Sequence, residues 1–546
     1  MTHPNPSTAL ARVLVDELVV QGVVSVFMSP GSRSGALAIA AAEHPDVDLC
    51  VVLDERSAAF HALGAARASG RPAAALCTSG TAPANFFPAI VEADMACVQL
   101  VAISADRPLE LRGVGANQTI DQVELFGAKV RAFEELSVPD PLSDANEMWR
   151  AAVTRAMARS RGPRPGPVHL NAAFREPTVP VTDDGRTVGE VYPHPTPRVE
   201  SRGDVDLGVY PEPTVDLSPE RGVIVAGDGA YDRNALAGVA GDLGWPVLAT
   251  ALSGMRGGDA ITAYGRILRR GVPDDLVPSS VVAVGAIGPE TRLEDLVAVA
   301  RNRVRVDRWG RTIDPGRNAT HSIAGDPVSL LASVPGSAGT GWAKSWRVAD
   351  ERAHVAMKTV LAGTDQISGA HVAAALNEVP WGALVVASSL PIREVDAHLR
   401  RGGPVFANRG ASGIDGFTST AFGVASVIPG TLALAGDLSL LHDSNAFLHE
   451  GAFDLTIIVV DNGGGGLFDS LPQARHAPQF DRLFVTPPDR DLGSLARLHD
   501  VRYASVTDEE GLVAEANASL DSGGVHVIRV QIDRRHDLDV RRQLAG

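Results

Sequence analysis

The stretch Thr431–Gly466 reads TLALAGDLSLLHDSNAFLHEGAFDLTIIVVDNGGGG. Thr431–Ala435 is an unbroken apolar run that stops at Gly436-Asp437-Leu438-Ser439, after which a helix is expected from about Leu440. Thr456–Val460 is a second such run, and it stops at Asp461-Asn462 and four glycines. Parallel strands buried on both faces require continuous apolar runs, where a half-solvated strand would alternate. Asp437 and Asn462 are 25 residues apart, enough for one helix and one return strand. Both strands therefore end at the same sheet edge as neighbours.

Singly, Gly-Asp and Asn-Gly are common turn dipeptides. At the ends of two adjacent buried strands they form one oxygen-rich edge. Mg²⁺ (or Mn²⁺) takes hard oxygen donors, typically one or two carboxylates completed by phosphates and water. Asp437 offers a carboxylate and Asn462 an amide oxygen. The glycine run, taken at Gly464, offers a backbone carbonyl, since glycine lets the chain approach closely. The helix start after Asp437 turns N–H groups toward a phosphate.

The same pattern extends outward from this stretch. Ser7 is expected to cap a helix with Leu10, Leu14 and Leu18 on its apolar face, and Gly22 to end it. Apolar strands are expected at 23–28, 50–53, 73–77 and 98–103, with Arg56–Ser69 helical between the second and third. Their C-terminal ends carry Ser29-Pro30-Gly31-Ser32-Arg33, Asp54-Glu55-Arg56, Thr78-Ser79-Gly80-Thr81 and Ala105-Asp106-Arg107-Pro108. Open α/β sheets bind ligands at that edge. A second block has strands at 222–226, 246–249, 281–284 and 304–306, and Gly227-Asp228-Gly229 after the first of them reads as a turn. A third block begins with a helix through His371–Leu376 and has strands at 384–387, 405–406, 431–435, 456–460 and 525–530. A Pro-, Asp- and Thr-rich linker is expected over about 176–219 and a Gly/Ser spacer over 335–340. The chain is thus α/β, with three Rossmann-like parallel-sheet domains at 1–180, 181–345 and 346–546, in keeping with its 546 residues.

The net charge of −16 disfavours nonspecific nucleic-acid binding, which needs a basic surface. Cys50, Cys77 and Cys97 lie in or beside apolar segments without CxxC spacing, as buried thiols of a reducing compartment do. No apolar stretch reaches about 20 residues, so no membrane span is expected, and with no signal-peptide pattern the expected location is cytoplasmic.

Gly-Asp followed by Asn-Gly at this spacing resembles the signature of the thiamine-diphosphate enzymes, and the domain order resembles their decarboxylase-like branch along essentially the whole chain. Within that branch the sequence is most similar to the 2-succinyl-5-enolpyruvyl-6-hydroxy-3-cyclohexene-1-carboxylate synthases of menaquinone biosynthesis. The likeness rests on the strand-end loops above, on Gly115-Ala116-Asn117-Gln118-Thr119, and on the long Asn408-Arg409-Gly410-Ala411-Ser412-Gly413-Ile414-Asp415-Gly416 segment.

The resemblance implies a reaction, cofactors and roles. The reaction is decarboxylation of 2-oxoglutarate on thiamine diphosphate and addition of the resulting succinyl-semialdehyde carbanion to isochorismate. Glu55 would activate the cofactor by hydrogen-bonding its aminopyrimidine N1′, reaching it across the subunit interface of a homodimer or homotetramer. Ser389, Leu390, Gly410, Ser412, Gly436, Leu438, Ser439, Gly465, Leu467 and Phe468 would join Asp437, Asn462 and Gly464 around the cofactor, with Ile414 as the apolar wedge that bends it. Ser32, Arg33, Arg107, Asn117, Gln118, Arg292, Arg393, Arg409 and Leu471 would line the substrate side. Both substrates are dicarboxylates, and arginine grips a carboxylate with two hydrogen bonds.

The chain departs from the family pattern at Asp461, at Glu290-Thr291-Arg292 and at Ser388-Ser389. Two competing readings are an acetolactate-synthase-like enzyme and a Rossmann-like nucleotide-binding scaffold. The first has less use for the arginine loops. The second has no use for Glu55 together with Asp437.

Overall fold

The computed structural model describes residues 5–136, 138, 145–179, 215, 217–475 and 478–546. Nearly all of the expected linker lies outside these residues. Three sheets form, and every ladder in them is parallel.

The first sheet holds β1 (Ser25–Met28), β2 (Asp48–Val51), β3 (Ala73–Cys77), β4 (Leu100–Asp106), β5 (Phe133–Leu136) and β6 (Val168–Ala173), in the order β2-β1-β3-β4-β6-β5. The second holds β7 (Gly222–Ala226), β8 (Val247–Ala249), β9 (Ser280–Val284), β10 (Asn302–Asp307) and β11 (His321–Ala324), in the order β11-β10-β9-β7-β8. The third holds β12 (Ala383–Val386), β13 (Val405–Phe406), β14 (Thr431–Gly436), β15 (Leu455–Asp461), β16 (Arg502–Val506) and β17 (Val525–Gln531), in the order β13-β12-β14-β15-β17-β16.

The continuous apolar runs have a visible cause. On β7, Val223 and Val225 join one core while Ile224 and Ala226 join another on the opposite face. Both faces are covered, so no position on the strand is left for a polar residue.

The chain forms two compact units. One comprises Met1–Leu207, Asn408–Ile428 and His442–Phe453 and contains the first sheet. The other comprises Gly208–Ala407, Pro429–Leu441 and Asp454–Gly546 and contains the other two sheets.

Several local expectations need correction. The N-cap of the first helix, Pro6–Val20, is Asn5 rather than Ser7, and its side chain accepts from the Ser7 N–H at 2.9 Å. Proline at the first helical position loses no hydrogen bond there, which moves the start back. The helix after β14 begins at Asp437, not near Leu440, so the carboxylate itself occupies the first turn. A helix at Thr340–Ala362 precedes the one through His371. Gly227-Asp228-Gly229, expected as a turn, instead runs beside residue 286. Asp228 pairs with Ala286 in an isolated bridge, and a Cβ on Gly227 would stand 2.2 Å from the Ala286 carbonyl oxygen.

Candidate active site

The candidate residues divide between the two units. In the second unit, β14 and β15 pair with Gly436 opposite Val460, so Asp437 and Asp461 leave the sheet side by side. Asp437 is 2% exposed. Its Oδ1 accepts from the Leu438 N–H at 2.8 Å, while its buried Oδ2 accepts no hydrogen bond of normal geometry. Buried polar atoms are ordinarily satisfied. Asn462 Oδ1 is in the same state. Burial pushes the Asp437 carboxyl up to about 7, opposed by the Leu438 and Gly464 N–H groups and reinforced by the Asp461 charge. Two buried oxygens at neighbouring strand ends, one of them on a carboxylate held against its ordinary ionisation, fit a cation.

Among the described residues, no group of three or more His, Cys, Asp or Glu side chains could hold a metal alone. A cation on Asp437 and Asn462 would need oxygens from a ligand, as Mg²⁺ sites on phosphates do. A Cβ on Gly436 would meet nothing within 4 Å, which leaves room for such a ligand beside the strand end.

Asp461 has another task. It pairs with Arg529 at 2.6 Å and accepts from the Gly463 N–H at 3.2 Å, fixing the Asn462-Gly463 turn. The glycine run is sterically required. Gly464 has φ +124°, and Cβ atoms on Gly464 and Gly465 would lie 2.3 Å from Val485 O and 2.6 Å from Phe484 O. Leu467 and Phe468 sit on the short helix Gly466–Ser470, with the Phe468 ring 5.6 Å from that of Phe484, and Leu471 follows, 36% exposed. The C-terminal helix Arg534–Ala545 braces this loop: Arg534 reaches Asp469 at 3.4 Å and Asp481 at 3.0 Å.

Ser389 precedes the helix Leu390–His398 at φ +75°, a conformation that strains a non-glycine residue, and its carbonyl accepts from Arg393 Nη1 at 2.5 Å. Arg292 is engaged by the acid that departs from the family pattern, pairing with Glu290 at 3.1 Å. Leu438 is half-buried and Ser439 buried in the helix Asp437–His442.

In the first unit, Glu55, expected at a strand end, is instead the first residue of the helix Glu55–Ser69, four residues after β2 ends at Val51. Asp54 caps this helix, accepting from the Ser57 N–H at 3.1 Å. The start of the helix is clasped by 442–450. Asn445 Nδ2 donates to Asp54 at 2.8 Å, Arg56 donates to His442 O at 3.1 Å, Arg56 pairs with the fully buried Asp443 at 3.5 Å, and the Leu53 N–H donates to Leu448 O at 2.8 Å. The Asp443 carboxylate also accepts from the Ser419 N–H at 2.7 Å.

The segment 408–416 is anchored from beneath. Glu92, 2% exposed, accepts from the Gly410 and Ala411 N–H groups at 2.7 and 2.6 Å. Arg409 is half-buried, Ser412 has φ +64°, and Ile414 is 39% exposed, an apolar side chain presented on this loop.

The loops after β1, β3 and β4 bring Arg33, Ser79 and Arg107 to one edge. Arg33 donates to Phe174 O at 3.0 Å and pairs with Glu176 at 3.1 Å. Arg107 donates to Ser79 Oγ, and Ser79 Oγ donates to Gln118 O at 3.1 Å. Burial first, then the Arg33 charge, lower the Arg107 pKa. Glu176, paired with Arg33, also offsets the repulsion at Arg107, so the two guanidinium groups already attract a carboxylate at this edge. Ser32, Asn117 and Gln118 are exposed, and Gln118 has φ +54°. Glu92, Asp443 and the buried network beneath Arg107 are contributors that the motifs did not single out.

Residues 8–125 match the family described as thiamine pyrophosphate enzyme, N-terminal TPP binding domain. Over nearly its full length the chain is also similar to curated proteins. One is the 2-succinyl-5-enolpyruvyl-6-hydroxy-3-cyclohexene-1-carboxylate synthase of Thermobifida fusca (strain YX), 41% identical with 99% of this chain and 98% of that one covered. The chain belongs to this synthase family. Proteins of the same name from Geobacillus kaustophilus (strain HTA426) and Haloarcula marismortui are 37% and 36% identical, with 98% and 100% of this chain and 96% and 98% of theirs covered. The family is one of thiamine-diphosphate enzymes, and the three parallel α/β sheets agree with that fold. Among the described residues, no helix is long and apolar enough to cross a membrane.

Proposed function

We propose that this chain decarboxylates 2-oxoglutarate and joins the four-carbon remainder to isochorismate. The product would be 2-succinyl-5-enolpyruvyl-6-hydroxy-3-cyclohexene-1-carboxylate, made in the cytoplasm for menaquinone biosynthesis. The observation that carries the substrate reading is that the loops after β1, β3 and β4 bring Arg33, Ser79 and Arg107 to the C-terminal edge of the first sheet, Arg33 held by Phe174 O and Arg107 by Ser79 Oγ. Both guanidinium groups are half-buried there, and both proposed substrates bring two carboxylates, which arginine grips with paired hydrogen bonds.

When bound, thiamine diphosphate supplies the carbon nucleophile and the electron sink that decarboxylation needs. The chain supplies the rest. Asp437, Asn462 and the Gly464 carbonyl would hold Mg²⁺ or Mn²⁺ against the diphosphate, with Gly436, Leu438, Ser439 and Gly465 around it. Glu55 would hold a proton at the pyrimidine N1′. Ile414, Leu467 and Phe468 would exclude water. Arg33, Arg107, Arg393 and Arg409, with Ser32, Asn117 and Gln118, would orient carboxylates, while Arg292, already paired with Glu290, would contribute less. In this reading the bounds 1–180, 181–345 and 346–546 mark the pyrimidine, central and diphosphate domains. The protein works as a homodimer or homotetramer with the site at a subunit interface.

The test is an assay with thiamine diphosphate, Mg²⁺, 2-oxoglutarate and isochorismate, following loss of isochorismate. Loss that requires 2-oxoglutarate supports the reading. Consumption of pyruvate in its place removes it.

A further inference from the structure

Beneath the Arg107 loop lies a polar network whose central members are buried. Asn171 on β6 is 0% exposed. Its Oδ1 accepts from Ser104 Oγ at 2.7 Å and from Gln122 Nε2 at 2.9 Å, and its Nδ2 donates to Asp106 Oδ2 at 2.9 Å. Gln122, also 0% exposed, donates to Ala105 O at 3.2 Å and accepts from the Gly80 N–H at 3.1 Å. Gly80, at φ +84°, packs against Gln118, where a Cβ would stand 2.7 Å from Cγ. Asp106, 0% exposed, accepts from the Arg107 N–H at 2.6 Å and pairs with Arg112 at 2.9 Å. Ser104 Oγ also meets His169 Nε2 at 2.7 Å.

One amide therefore ties two walls together. Through Asp106 it fixes the backbone that carries Arg107. Through Gln122 it fixes Gly80 and, behind it, Gln118. β6 lies inside the sheet, between β4 and β5, where apolar side chains would pack at no desolvation cost. A fully satisfied buried network gives little net stability, but it fixes geometry.

We propose that Asn171 is a positioning residue that sets the spacing of Arg107 against the Gly80–Gln118 wall, and with it the grip on a substrate carboxylate. This rests on the reading of Arg107 and Gln118 as substrate-binding residues.

Three variants test it: Asn171→Leu, Asn171→Asp and Arg107→Gln. Each is measured for kcat and KM with both substrates and for thiamine diphosphate–Mg²⁺ affinity by calorimetry. Asn171→Leu is expected to raise a substrate KM about ten-fold, the equivalent of one lost hydrogen bond, with cofactor affinity unchanged. In Asn171→Asp the new carboxyl faces Asp106, Arg112 and Glu135, with His169 across Ser104. Two abutting carboxyls share one proton at lower pH and repel once both ionise. KM in that variant is therefore expected near wild type at about pH 6 and to climb toward about pH 9, whereas wild-type KM does not follow that course.

If Arg107→Gln raises KM while Asn171→Leu does not, the positioning role is overturned and the substrate site stands. If Arg107→Gln leaves both KM values unchanged, the substrate reading falls and this inference with it. Equal losses of cofactor affinity and substrate affinity in Asn171→Leu would show a general structural role instead. Should Asn171→Leu fail to fold, the pH course of Asn171→Asp decides: a flat KM overturns the proposal.

Discussion

Gly64 lies directly on the backbone of Thr420: a Cβ built on the glycine would stand 2.1 Å from the Thr420 carbonyl oxygen. The contact is reciprocal, since a Cβ on Gly423 would stand 2.0 Å from His61 O. The helices Glu55–Ser69 and Phe417–Ala425 thus cross at backbone distance. One begins at Glu55 and the other follows the Ile414 loop. The crossing sets where these two candidate residues stand in the first unit.

Gly64→Ala is accordingly expected to destabilise the protein by about 2–3 kcal/mol, the cost of overpacking a close crossing. Urea unfolding measures this. A midpoint unchanged from wild type would mean the helices separate at no cost.

Glu55→Gln keeps the shape of the side chain and removes its charge. Calorimetry should show thiamine diphosphate binding within a few-fold of wild type, while turnover falls by at least about a hundred-fold, the usual worth of a proton-transfer group. Near wild-type turnover would take Glu55 out of the proposed role.

Asp443 carries a pH signature. Burial raises its pKa from 3.8 to about 6. A carboxyl raised on folding contributes stability that is present below its unfolded pKa and is lost as pH rises through the folded value. Between about pH 4 and 7 the wild type should therefore lose stability relative to Asp443→Asn, by up to about 3 kcal/mol. Denaturant titrations of both proteins at several pH values read the difference. A difference that does not change with pH would mean that Asp443 does not titrate there.

At the cation site, Gly464→Ala forces a Cβ toward Val485 O from a left-handed backbone. Mg²⁺-dependent cofactor affinity is expected to drop by at least about ten-fold, more than 1 kcal/mol. An alanine variant that binds cofactor normally would show that this loop has no part in holding it.

Much of this was legible in the sequence, and the exceptions share a cause. Strands buried on both faces announce themselves as apolar runs, and β3 and β7 have the bounds expected for them, as does the short edge strand β13. β5, β11 and β16 were not anticipated, because their partly exposed residues include charged and polar side chains that break any apolar run. β6 is interior yet was also missed, since His169 and Asn171 break its apolar run. Asp437 and Asn462 could be paired by spacing alone. Asp461 could not be assigned, because its partner Arg529 comes from β17, 68 residues further along the chain. Glu92 and Asp443 could not be seen at all: each is a buried acid whose purpose lies in backbone N–H groups that only the fold brings to it.

The central claim is that one active site removes carbon dioxide from 2-oxoglutarate and transfers the remainder to isochorismate. Uniformly ¹³C-labelled 2-oxoglutarate with unlabelled isochorismate, thiamine diphosphate and Mg²⁺ tests this by mass spectrometry. One labelled carbon dioxide per turnover is expected, with a product that carries four labelled carbons. Label that stays in 2-oxoglutarate while pyruvate added to the same mixture is consumed, or labelled carbon dioxide with no labelled adduct, would contradict the proposed reaction.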